Sequence, residues 1–209
     1  MEFKNNKEIK NFISDTESKI ILNFIDNIKY TPKVENIHIK TVAFSLKGNS
    51  YIYDITSTDI SRYLSKFQSD NNVSSEKLDP IFISLLNRIS DKLNISKDNV
   101  FLQIVDMNEG GIIRPHYDTS VSGFINYKCN ISVLSEDYTM ILDKEEIKVK
   151  ERNLYCFEAS LFKHYIPKPF SKRRVLLSYG FILPYHELNR NSEDYRVRLS
   201  ERIQKYFQK

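Results

Sequence analysis

Between Lys7 and about Ile28 the apolar residues Ile9, Phe12, Ile13, Ile20, Ile21, Phe24 and Ile28 fall near helical spacing. This predicts one or two helices, with Ser14 and Asp15 as a break or an internal cap. From Ile37 to Ile55 shorter apolar and β-branched stretches flank a turn at 47–50 and predict a hairpin. A short helix from Ser57 to about Phe67, opened by Ser57 or Thr58, leads into a polar loop over 69–75. Pro80 to Leu93 predicts a longer amphipathic helix with Ile81, Ile83, Leu85, Ile89 and Leu93 on its apolar side. After Asp98 the pattern becomes that of strands, at 101–105, 112–113, 130–134, 138–142, 147–149, 154–157 and 175–182. Many short strands without intervening helices predict a mainly β, closed or sandwiched antiparallel core buttressed by helices. From Glu187 onward the pattern is again that of a charged helix, with Tyr195, Val197, Leu199, Ile203 and Phe207 as anchors.

Composition narrows this picture without redirecting it. The 209 residues suffice for one sizeable core, and 41% apolar with 28% charged residues is a globular balance. The net charge of +4 is a mild excess that favours acidic partners and specifies none. Cys129 and Cys156 stand alone, without metal-type spacing, and read as reduced and buried. The first ten residues lack the apolar stretch of a secretion signal, and no run approaches the roughly 18 apolar residues of a membrane span. The expectation is a soluble, cytoplasmic protein with no membrane partner.

The chemistry gathers around His116 and Asp118, which a strand would direct to one face while Tyr117 points the other way. His164, far downstream, supplies a third ligand type. Two imidazoles and a carboxylate can occupy one face of an iron(II) octahedron and leave the other open. Arg174 follows His164 by ten positions and enters the strand Val175–Ile182, where a buried charge needs a partner. A dicarboxylate meets that need through a guanidinium fork, and Ser178 shares Arg174's side of the strand. Arg173 is the alternative for this role. Gly110 and Gly111 suit a tight connection before the metal residues. His38 and His186 lack comparable company and read as structural or surface residues.

Residues 102–118, running from Leu102-Gln103 through the glycine pair to Pro115-His116-Tyr117-Asp118, resemble the catalytic segment of prolyl 4-hydroxylases, within the Fe(II)/2-oxoglutarate-dependent oxygenases. The likeness covers about 99–184. It implies a double-stranded β-helix (jelly-roll, cupin-like) core over 99–185; length and apolar pattern place this core in a single domain spanning 1–209, with a helical and β buttress over 1–98 and a C-terminal helix over 186–209. It also implies Fe(II) on His116, Asp118 and His164, and 2-oxoglutarate as cosubstrate with its far carboxylate on Arg174. Met107 stands where that segment usually carries a cosubstrate-binding tyrosine, which leaves Tyr127 or Asn130 on the next strand to substitute. Collagen-type enzymes usually have lysine in place of Arg174, so collagen-like substrates do not follow.

The implied reaction consumes O2 and 2-oxoglutarate, and Asp118 argues for hydroxylation over halogenation, since halogenating relatives replace that carboxylate by a small residue. The leading expectation is a dioxygenase that hydroxylates an amino-acid side chain, free or in a peptide or protein. Oxidative demethylation of nucleic acid is the second reading, disfavoured because the basic C-terminal segment alternates charge and no aromatic-basic platform is evident. A noncatalytic β-barrel binding protein is the third. Arg114 and the loop 119–127 are candidates for substrate contact, the loop as a lid.

Overall fold

The computed structural model describes residues 6–27, 39–47, 78–97, 99–118 and 124–184. The elements in chain order are β1 (Asn6–Ile9), α1 (Asp15–Asn27), β2 (Ile39–Lys47), α2 (Pro80–Leu93), β3 (Asn99–Met107) and β4 (Phe124–Leu134). They continue with β5 (Tyr138–Leu142), β6 (Glu145–Val149), β7 (Leu154–Glu158), β8 (His164–Tyr165) and β9 (Arg174–Pro184). Two antiparallel sheets result, a large one in the order β1-β7-β4-β9-β3-β2 and a small one in the order β6-β5-β8. This is a jelly-roll arrangement, mainly β with flanking helices.

Alternation along the central strands divides the large sheet into two faces. Val100, Leu102 and Ile104 of β3, Ile125 to Val133 at odd positions of β4, and Val175 to Leu183 at odd positions of β9 join one apolar core with α1 and α2. The other face, with Gln103, Lys128, Asn130, Arg174 and Ser178, turns toward the small sheet and lines a cavity. The helices are tied to the first face by hydrogen bonds as well as packing. Ser18 Oγ donates to the Val133 carbonyl at 2.9 Å, and Tyr179 Oη to the Phe82 carbonyl at 2.8 Å.

Local chemistry explains where the helices begin. Ser14 and Glu17 form a reciprocal capping box, the Glu17 amide donating to Ser14 Oγ and the Ser14 amide to Glu17 Oε2. Asp79 Oδ1 accepts from the Ile81 amide with Pro80 following it, and Asn94 closes α2 in the left-handed region at φ 51°. The buried side of α2 is Phe82, Leu85, Leu86, Ile89 and Leu93, while Ile83 remains 43% exposed. The expected stripe holds at Leu85, Ile89 and Leu93, with Ile81 packed partly buried against the core, and fails at Ile83, whose place Phe82 takes.

Several other expectations change. The segment before Ser14 is not helical, because Asn6–Ile9 pairs antiparallel with Leu154–Phe157 as an edge strand. Ile112 and Ile113 do not form a strand, although the Ile166 amide donates to the Ile113 carbonyl at 3.0 Å. Residues 124–127, expected in a lid, belong to β4. One arm of the expected hairpin is β2, paired with β3 from Ile39↔Met107 to Lys47↔Asn99. The other arm, the helix 57–67, the loop 69–75, residues 119–123, His38, His186 and the C-terminal helix lie outside the described residues. Among the described residues no helix is long and apolar enough to cross a membrane.

Candidate metal and diacid site

His116 and His164 meet across an isolated antiparallel bridge, the His116 amide donating to the His164 carbonyl at 3.2 Å and the reverse bond measuring 2.9 Å. The bridge places the imidazole centroids 4.2 Å apart. Asp118 is fixed by a different contact, its amide donating to the Ala159 carbonyl at 2.9 Å. The expected strand through 116–118 is thus reduced to one bridge residue, yet the two side chains still converge. One ligand atom from each of His116, Asp118 and His164 lies within 4.8 Å of the others, close enough to hold one ion.

The imidazoles present the correct nitrogens for that task. His116 Nδ1 lies 2.8 Å from the Arg114 carbonyl, and His164 Nδ1 lies 3.1 Å from the Phe162 carbonyl. A carbonyl oxygen only accepts, so each Nδ1 carries the proton and each Nε2 turns a lone pair inward. Asp118 Oδ1 lies 3.5 Å from His116 Nε2 and 3.9 Å from His164 Nε2.

Electrostatics favour the ligating protonation states at two of the three positions. Burial pushes the Asp118 carboxyl upward, but the Lys128 ammonium and the two imidazoles outweigh it and hold the group well below the usual carboxylate range. Burial brings His164 down to about 4 against the opposing pull of Asp118, so the ring is neutral near pH 7. His116 is raised, chiefly by its contact with Asp118, with burial opposing. A cation at this site would therefore displace the His116 proton when the solution lies below the raised value.

A cavity of about 250 Å³ runs between the sheets beside these residues. Arg174 lines it and is only 4% exposed. Its Nη2 donates to Tyr138 Oη at 2.7 Å, its Nη1 approaches Met107 Sδ at 3.5 Å, and its guanidinium lies over the Tyr138 and Phe170 rings. Phe170 is held there by the glycine turn, exchanging backbone bonds with Gly110 and Gly111 at 2.9 and 3.0 Å. Gly110 adopts φ 82°, which glycine allows without strain. Among the described residues no carboxylate meets Arg174, and its buried Nε has no acceptor. A buried cation in this condition fits an incoming diacid. Arg173 is excluded from that role by its own partners, forking onto both Asp106 oxygens at 2.9 Å and reaching Asp26 at 2.7 Å.

The remaining sequence candidates separate by strand parity. Ser178 and Asn130 are cross-strand partners on the cavity face, and the Asn130 amide oxygen is buried without a donor. Tyr127 lies three positions from Asn130, on the opposite face, fully buried in the core beneath the helices. Tyr127 and Asn130 therefore cannot serve the same cavity, and Tyr127 does not line it. Arg114 is exposed and contributes its carbonyl to His116. Two functional neighbours were not anticipated, Lys128 and Tyr138. The signal for Lys128 was its even spacing from Asn130 in β4, which places both on one face of the strand, whereas only the pairing of two sheets reveals Tyr138.

No protein-family model and no curated protein sequence matches the chain. Solved structures do match it by fold. A prolyl-4-hydroxylase of Pseudomonas putida superposes with a TM-score of 0.53 at 12% identity, over 85% of this chain and 92% of that one. HygX of Streptomyces hygroscopicus, solved with nickel, 2-oxoglutarate and hygromycin B, gives 0.56 at 7% identity, over 87% and 83%. The viral collagen prolyl hydroxylase of Paramecium bursaria Chlorella virus-1, in complex with 2-oxoglutarate, gives 0.50 at 16% identity, over 85% and 95%. The chain has the fold of the 2-oxoglutarate–Fe(II) oxygenases.

Proposed function

We propose that this protein is an Fe(II)- and 2-oxoglutarate-dependent dioxygenase that hydroxylates an amino-acid side chain, free or in a peptide. The observation that carries the reading is the convergence of His116, Asp118 and His164 at one edge of a cavity whose wall also carries a buried guanidinium without a carboxylate among the described residues. His116 Nε2, His164 Nε2 and Asp118 Oδ1 hold the metal. Arg174 holds the far carboxylate of the diacid, assisted by Ser178 and by Asn130, whose amide turned about its last bond offers its NH2. The cavity is smaller than the roughly 300–1,000 Å³ of drug-sized ligand sites, which suits a small diacid.

When bound, ferrous ion, 2-oxoglutarate and O2 supply an oxidant able to take hydrogen from an unactivated C–H bond, with succinate and carbon dioxide as coproducts. The chain's own part is placement. The Arg114 and Phe162 carbonyls fix both ring tautomers, and the carboxylate of Asp118 remains ionised. Met140, Phe157, Ile166 and Leu176 line the cavity with apolar surface that excludes bulk water from the reacting atoms. Exposed Ile112 and Tyr117 beside the metal residues offer an apolar rim for a substrate. A cytoplasmic setting agrees with Cys129 and Cys156, which face each other across β4 and β7 as buried free thiols.

Substrate-stimulated conversion of 2-oxoglutarate to succinate tests the reading. A panel of amino acids, peptides and methylated oligonucleotides is screened with Fe(II) under air. Stimulation by an amino acid or peptide, with a mass gain of one oxygen, supports it. Stimulation by a methylated oligonucleotide alone contradicts the substrate class, and binding without stimulation by any compound favours a binding protein.

A further inference from the structure

The cavity contains one charged side chain to which the reaction gives no task. Lys128 has a side chain only 7% exposed, and its Nζ lies 3.3 Å from Asp118 Oδ2. The two Asp118 oxygens are thereby distinguished, since Oδ1 is the one that approaches both imidazoles. The sheet builds a seat for this ammonium. Phe101, Gly180 and Lys128 form one cross-strand row through β3, β9 and β4, and the ammonium lies 4.6 Å from the Phe101 ring centroid. A Cβ on Gly180 would fall 2.1 Å from Phe101 Cζ, so the missing side chain is what lets that ring lie across β9 beside Lys128.

A buried ammonium beside a dication site is unfavourable for metal binding by simple repulsion, so its placement calls for a compensating role. A carboxylate can bind a metal through one oxygen or two. With two imidazoles and one oxygen, a six-coordinate ion keeps three positions, enough for a chelating diacid and one more ligand. With both Asp118 oxygens bound, only two remain.

We propose that Lys128 is a positioning residue that restricts Asp118 to one-oxygen ligation, by occupying Oδ2 and leaving Oδ1 to share the ion with His116 and His164. This rests on the metal-site reading above. Removing the ammonium relieves repulsion and frees an oxygen, so metal binding is kept or tightened while the position beside the chelated diacid is lost. A lysine with a purely structural part would lose both when removed.

The test uses Co(II) as a spectroscopic probe with full-length protein and the variant Lys128→Met. The variant is expected to bind Co(II) at least as tightly as the parent, with an altered visible spectrum. Azide, titrated calorimetrically into the protein loaded with Co(II) and 2-oxoglutarate as a probe of that remaining position, is expected to bind the variant roughly 10- to 100-fold more weakly than the parent. A crystal structure of the parent Co(II) complex gives a second measurement that needs no variant, with Oδ1 alone on the metal and Oδ2 still against Lys128. A folded variant with the parent spectrum and parent azide affinity overturns the proposal. So does a folded variant that loses Co(II), or a parent complex with both Asp118 oxygens on the ion. A parent protein that binds no Co(II) overturns the metal-site reading itself, which separates that failure from a failure of the clamp.

Discussion

Replacing Arg174 by methionine separates a cation kept for a ligand from a cation kept for the fold. The guanidinium is buried among Val105, Met107, Ile166, Phe170 and Leu176, with a tyrosine hydroxyl and a thioether as its hydrogen-bonding partners. Its loss forfeits two ring contacts of about 1 kcal/mol each and one charged hydrogen bond of about 1.5–3 kcal/mol. Against this stands a recovered desolvation cost of several kcal/mol, and methionine refills much of the volume with apolar atoms. The two sides nearly cancel, so Tm of the ligand-free protein is expected to stay within about 4 °C of the parent. Binding of a diacid has no such offset. A fork of two charge-assisted bonds is worth about 3 kcal/mol after incomplete additivity, or about a hundredfold in affinity. Differential scanning calorimetry and titration of 2-oxoglutarate into Mn(II)-loaded protein read the two effects. A variant that loses more than about 10 °C but binds 2-oxoglutarate like the parent would refute the reasoning, because Arg174 would then be a core residue and no more.

Asp118→Ala and His116→Ala should both abolish metal binding but differ in stability, since removing Asp118 strands Lys128 while His116 lies near the surface. Chemical denaturation is expected to show a loss of about 3 kcal/mol for Asp118→Ala and under about 1 kcal/mol for His116→Ala. Equal losses would refute the buried pair. In the metal-free protein, NMR titration should show His164 gaining its proton only near pH 4 and His116 gaining its proton above the ordinary imidazole value. Apparent Mn(II) affinity should therefore fall as pH drops through the raised His116 value, by up to tenfold per unit, because the ion and that proton compete. A pH-independent affinity from 8 to 6 would contradict this. Tyr179→Phe removes the donor to the Phe82 carbonyl and should cost about 1–3 kcal/mol in urea unfolding without changing metal affinity.

Much of the candidate site was legible because its residues are few and chemically distinctive. His116, Asp118, His164 and Arg174 stand out as charged or ligating groups in apolar, strand-like sequence, and the structure brings them to one cavity. Helix α2 was legible from Pro80 to Leu93 because apolar residues at helical spacing run its whole length. Leu85, Ile89 and Leu93 of its expected stripe are buried, whereas Phe82 takes the place expected of Ile83, since Ile81, Phe82 and Ile83 are consecutive and spacing alone does not choose among them. The strand β1 was hidden inside a helical pattern, because four residues at an edge carry too little alternation to compete with the longer periodicity after them. Tyr127 was misassigned through strand parity, which is fixed only when pairing fixes which face is inward. Lys128 and Tyr138 meet their partners outside their own strands, Asp118 ahead of β4 and Arg174 on the opposite sheet, and no local pattern encodes those meetings.

The most direct test of the central claim is calorimetric titration of 2-oxoglutarate into the protein with and without Mn(II), under anaerobic conditions. One equivalent should bind only when the metal is present, with binding abolished by His164→Ala and weakened about a hundredfold by Arg174→Met. Metal-independent binding, or binding that survives both substitutions, would contradict the account.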